Sequence, residues 1–148
     1  MVAIALTWHR VEWMPDDTWV KMTRPKVVAA GIDPNDLDRS VYVIRLNGDF
    51  CIEYPSGESP TLYVGEGNFS QRIDAHRIWV KELKDLVGDF SFQVCIAVPR
   101  VRKNVDAYLD TEAAILQRFG ELFGSAPLWN KQFESRRNNY EYSNRQVD

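Results

Sequence analysis

Glu112 places a carboxylate where its own helix should be apolar, four residues after Tyr108 and three before Ile115. A charge there must reach water at the edge of the stripe, pair with an arginine or hold a metal ion. His76 follows Ile73 by three residues and precedes Val80 by four, again on the inward side of a helix. Arg72 lies one turn earlier on the same ridge, so both could enter one cleft. A histidine in such a place is either a satisfied core residue or a group that holds and moves protons near neutral pH. Tyr42 and Tyr63 lie in separate strands, where a tyrosine ordinarily fills the sheet and sends its hydroxyl to water. If the hydroxyls met His76, Arg72 and Glu112, the set could carry charge and protons together.

The elements that would have to position these groups can be read along the chain. Residues 41–46 read as a strand, Asn47-Gly48-Asp49 as a turn and residues 50–54 as the returning strand of a hairpin ended by Pro55-Ser56-Gly57. Residues 61–65 form a further short strand, and Asn68 caps a helix to about Val87. Residues 91–98 read as a strand. A long helix from Asn104 to Gly124 carries the stripe Val105, Tyr108, Leu109, Ile115, Leu116, Phe119, Leu122 and Phe123. Before this core, residues 1–39 read as an extension packed by Trp8, Trp13 and Trp19, with a short helix capped by Asp16 or Asp17 and disturbed by Pro25. Turn formers from Gly31 to Asp36 mark the join. Residues 132–148 read as a polar tail of basic and aromatic residues.

With 148 residues and 45% hydrophobic content, the chain can bury one real core but not two ordinary ones. The expected class is α/β, a small mixed or antiparallel central sheet flanked by helices. The apolar run from Val2 to Leu6 is too short to span a bilayer and has no basic start, so a cytoplasmic protein without membrane contact is expected. Cys51 and Cys95, flanked by strand formers, read as ordinary reduced strand residues. Two histidines and no C-x-x-C pair leave too few ligands for a structural zinc site, so any metal should be hard and oxygen-bound. The net charge of −3 opposes general affinity for phosphate backbones. Basic residues nevertheless gather late in the chain: Arg100, Arg102 and Lys103, then Lys131, Arg136, Arg137 and Arg145. Each is either part of a solvated mixed surface or part of a nucleic-acid footprint.

The order of these residues resembles the GIY-YIG nuclease family. Ser40-Val41-Tyr42 corresponds to its first strand and Tyr63-Val64-Gly65 to its second. Arg72 and His76 correspond to the arginine and histidine of the next helix, Glu112 to its metal-binding glutamate, and Asn130 in Pro127-Leu128-Trp129-Asn130 to its loop asparagine. The resemblance covers roughly residues 40–131, about the size of one compact domain. It departs from the family at Ser40, where glycine is usual, and in the long stretch between the tyrosines, which includes Pro55 and Pro60.

The resemblance implies a metal-dependent endonuclease acting on nucleic acid, with DNA the expected substrate. Glu112 would hold one Mg²⁺ or Mn²⁺, and Arg72 would contact the phosphate or orient the nucleophile. Tyr42, with Tyr63 beside it, would be the general base, and His76 is the competing base or a relay to Tyr42. Asn130 would use its amide to hold a tyrosine hydroxyl or a phosphate oxygen. The alternative is a binding module that keeps the fold without turnover and uses exposed tyrosines as stacking platforms. Specificity would come from the extension, the loop at 55–60, the tail, a second copy of the chain or a separate protein.

Overall fold

Runs of β-branched and aromatic residues build the centre of the molecule. The computed structural model describes residues 2–88, 90–130 and 140–147. Val2–Trp13 forms β1, Arg24–Ala29 α1, Val41–Leu46 β2, Ile52–Tyr54 β3, Gly57–Ser59 β4 and Thr61–Glu66 β5. Phe69–Val87 then forms α2, Phe92–Ala97 β6, Ala107–Phe123 α3 and Tyr140–Val147 β7. Five strands make a mostly antiparallel sheet in the order β5-β2-β6-β1-β7, with β1 and β7 the parallel pair, and β3 and β4 pair separately. The chain is therefore a mixed α/β structure.

Alternate residues along each strand point to opposite faces, and the two long helices take one face each. Tyr42, Ile44 and Leu46 of β2, with Phe92, Val94 and Ile96 of β6, pack with Phe69, Ile73 and Val80 of α2. On the other face Val41, Val43 and Val64 pack with Tyr108, Ile115 and Leu116 of α3. Val43, Tyr108 and Ile115 are partly buried, and each of the fully buried apolar side chains contributes about 1.5–3 kcal/mol relative to exposure.

Three expectations are corrected. Residues 2–13, read as part of an extension, form a strand inside the sheet, between β6 and β7. Their pattern conceals this because Ile4 and Leu6 are buried in one cluster while Val11 and Trp13 are buried in another, so the alternation changes phase within the strand. The hairpin of residues 41–54 does not form: β2 pairs with β5 and β6, and Ile52–Tyr54 folds onto Gly57–Ser59. A central strand has both edges taken, so the returning segment pairs locally, and Leu46 N bonds to Pro60 O at 2.9 Å where the chain rejoins the sheet. Pro25 sits in the first turn of α1 and starts that helix, since its missing N–H is unneeded there.

The helix boundaries shift as well. Asp106, not Asn104, precedes α3, because the Val101–Asn104 bridge closes a tight turn first and Asn104 Oδ1 accepts from Asp106 N at 3.0 Å. Gly124 ends α3 in the left-handed region, as expected of a helix C-terminus. At the far end of the chain, the tail contributes β7, paired with β1 from Val2↔Tyr140 to His9↔Val147. Lys131, Arg136 and Arg137 lie outside the described residues, and Arg145 stands opposite Thr7 in β7. Among the described residues, no helix is long and apolar enough to cross a membrane.

Candidate active site

The register of β2 on β5 sets Tyr42 directly opposite Gly65 and Ile44 opposite Tyr63. Both tyrosines therefore share the face covered by α2, their ring centroids 6.0 Å apart. Tyr42 is fully buried, and its ring lies across Gly65. A Cβ on residue 65 would stand 2.5 Å from Tyr42 Cζ and 2.6 Å from Tyr63 Cε1, so only glycine admits both rings. That is the physical need behind the glycine of Tyr63-Val64-Gly65.

Helix α2 delivers the next groups. Its buried Ile73 and Val80 turn the intervening His76 inward. His76 Nε2 lies 2.9 Å from Tyr42 Oη, and the imidazole ring sits 4.5 Å from the Tyr63 ring. The indole N–H of Trp79 donates to His76 Nδ1 at 2.9 Å. Arg72, one turn before His76, is exposed and lies 3.7 Å from Glu66 at the end of β5. On the opposite helix, Glu112 is only 6% exposed, one turn from Tyr108 and from Leu116 on the face α3 turns inward.

The electrostatics tie these groups into one set. Burial pushes the Tyr42 hydroxyl far above the ordinary phenol range; Tyr63 and the Glu112 carboxylate add to the rise, while Arg72 opposes it. Tyr63 is raised by burial and by Glu112, and Arg72 again pulls the other way. Burial, followed by Arg72, lowers His76 to about 4. At neutral pH the site therefore contains two phenols and a neutral imidazole, beside the Arg72 guanidinium and the carboxyl groups of Glu112 and Glu66. Such a set can grip an anion, share protons among oxygens, and offer a hard carboxylate donor.

Five of the expected residues, Tyr42, Tyr63, Arg72, His76 and Glu112, thus stand in one neighbourhood. Asn130 serves differently from the expected contact with a tyrosine hydroxyl or phosphate. Its Oδ1 accepts from Val64 N at 2.9 Å and its Nδ2 donates to Val64 O at 2.8 Å. Both ends of the amide are spent on the outer edge of β5, whose outward backbone groups need partners. The same loop donates Trp129 N to Leu62 O at 3.0 Å and stacks the Trp129 ring on Trp79 at 4.6 Å. Arg100, another basic candidate, is paired with Asp36 at 2.7 Å.

Sequence reasoning missed Trp79, Trp129 and Glu66. The spacing of Trp79, three residues after His76 on one helix, was the available signal for the first. Nothing local announces that Trp129 reaches across to it. Among the described residues, no group of three or more His, Cys, Asp or Glu side chains is placed to hold a metal ion. No protein-family model, no curated protein and no solved structure matches the chain.

Proposed function

We propose that the chain is a metal-dependent phosphodiesterase of the GIY-YIG kind, cleaving nucleic acid, with DNA the expected substrate. One observation carries the reading. Tyr42, Tyr63, Arg72, His76 and Glu112, drawn from two strands and two helices, share one site in which Tyr42 and His76 touch and Arg72 and Glu112 act on both phenols.

Glu112 is the residue that would hold one Mg²⁺ or Mn²⁺. A nearly buried hard oxygen suits such an ion in kind, and water and substrate oxygens would complete its shell. The bound ion would neutralise phosphate charge and cancel the upward push of Glu112 on the two phenols. Arg72 would grip a phosphate oxygen, exchanging the loose contact with Glu66 for a charge-assisted one. Tyr42, a neutral phenol at rest, would first release its proton through the Tyr63 hydroxyl to solvent, and as phenolate would then take the proton of the attacking water as the new P–O bond forms and the P–O bond to the departing sugar breaks. The departing oxygen then takes a proton from solvent. Asn130 supports this by holding Val64, the residue between Tyr63 and Gly65.

Incubation of the full chain with supercoiled plasmid tests the proposal. Nicking or linearisation with Mg²⁺ or Mn²⁺, abolished by chelator and by Glu112→Ala, is the expected result. Cleavage by a folded Glu112→Ala protein would remove the central role of that carboxylate. Binding of nucleic acid without cleavage under all metal conditions would favour the module without turnover.

A further inference from the structure

We infer that Trp79 is a positioning residue: its indole N–H fixes the tautomer of His76, making His76 a hydrogen-bond donor to Tyr42 and excluding it as the acceptor of the Tyr42 proton. The catalytic meaning rests on the proposed function, but the proton assignment does not.

An indole nitrogen can only donate. Trp79 Nε1 lies 2.9 Å from His76 Nδ1, so Nδ1 must present its lone pair. A neutral imidazole carries one hydrogen, which is thereby confined to Nε2, 2.9 Å from Tyr42 Oη. The bond accordingly runs from histidine to tyrosine. Protonating Nδ1 would set two N–H groups against each other, and burial with the nearby Arg72 already opposes a cationic ring. The Tyr42 hydroxyl hydrogen must then leave its own oxygen in another direction, and the hydroxyl of Tyr63 is its hydrogen-bonded neighbour.

The four groups form a chain of donors pointing one way, from Trp79 through His76 and Tyr42 to Tyr63. A Tyr42 phenolate keeps the His76 Nε2 hydrogen bond, which favours the anion. The proton lost on forming it passes to the Tyr63 oxygen as Tyr63 releases its own hydroxyl hydrogen to solvent, and it does not go to the imidazole. The indole is itself held in place: Trp129 stacks on it with the planes 17° apart, and Trp129 N and the Asn130 amide tie that loop to β5. The loop thus bears on a proton position at His76 through Trp79. Arg72 on α2, Tyr42 on β2, Tyr63 and Glu66 on β5, and Glu112 on α3 are the titratable groups around this corner.

Long-range proton–nitrogen NMR spectra of the ¹⁵N-histidine-labelled full chain test the assignment without reference to activity. The chain has two histidines, and they should differ. His9 Nδ1 faces the Ala30 carbonyl at 3.0 Å and must carry a hydrogen, whereas His76 should show the hydrogen on Nε2 and a bare Nδ1 at pH 7. A wild-type spectrum with His76 protonated on Nδ1 overturns the inference. Trp79→Phe keeps an aromatic ring at the position but deletes the pyrrole half of the indole together with its N–H donor. It should mix the His76 tautomers, raise its titration above about 4, and lower kcat on the order of tenfold with KM unchanged. An unchanged tautomer and titration in this variant would also overturn the inference. The expected spectra in a chain that cleaves nothing would uphold the tautomer and sink the nuclease reading instead.

Discussion

His9 and Tyr42, the partner of His76, stand in a single row on one face of the sheet, and the two histidines are used in opposite ways. Pairing registers Gly65 with Tyr42, Tyr42 with Ile96 and Ile96 with His9, so the two corners are separated only by strand β6. At the His9 corner, one ring nitrogen bonds a backbone carbonyl, and the surrounding cavity of about 460 Å³ is lined by Thr7, Asp33, Asp36 and Arg100. Its carboxylates have partners: Arg100 binds Asp36, and Asp33 accepts from the backbone N–H of Asn35. At the His76 corner both ring nitrogens meet side chains, two phenols are driven above their ordinary range, and Glu112 adds to that rise while Arg72 opposes it. A histidine tied to backbone holds the fold, whereas one tied between titratable or donor side chains sets proton positions. That contrast separates a structural corner from a candidate site.

The comparison breaks first at Glu112. Glu112→Gln keeps the shape and removes the charge, and plasmid cleavage should fall by at least ~100-fold with circular dichroism unchanged. Tyr42→Phe should lose a similar amount, because one oxygen is deleted and the ring still covers Gly65. His76→Ala should lose less, since it removes a donor to that oxygen and not the oxygen itself. Cleavage rates ranked the other way would make His76 the base.

Gly65→Ala is the next sharpest probe. Its Cβ would stand 2.5 Å from Tyr42 Cζ, so the ring must move, at a cost of roughly 1–3 kcal/mol in denaturant titrations and with loss of cleavage. Full stability in that variant would mean that the two rings have room to shift.

Acid sharpens the comparison further. His76 binds its proton at about 4 in the fold against the ordinary value of 6.5, because burial and Arg72 disfavour the cation. The unfolded chain holds more protons between those values. The stability contributed by neutral His76 is therefore complete above about 6.5 and lost as pH falls toward 4. Equilibrium unfolding of wild type should weaken across that window, and His76→Gln should flatten the slope. Parallel slopes would place the acid sensitivity elsewhere.

The smallest effect belongs to the other corner. His9→Ala removes the bond to Ala30 O and should lower stability by about 1 kcal/mol while leaving the cleavage rate unchanged. A rate loss comparable to that of His76→Ala would erase the distinction between the corners.

Local patterns made several elements legible from the chain alone. The strands at Val41–Leu46 and Thr61–Glu66 and the helices ending near Val87 and Gly124 follow from side-chain periodicity and terminating residues, which act over a few positions. The anomalies at His76 and Glu112 were visible for the same reason, as polar groups on apolar helical faces. Pairing partners were not legible. The place of β1 within the sheet, its parallel pairing with β7, and the local β3–β4 hairpin depend on contacts between distant segments, and a strand buried by different clusters along its length loses its simple alternation. Asn130 and Trp129 show the limit most directly. The sequence marks both only as members of a loop. The tertiary structure spends the amide on Val64 and sets the indole against Trp79, because an edge strand needs partners for its outward backbone groups and the nearest chain able to supply them is that loop.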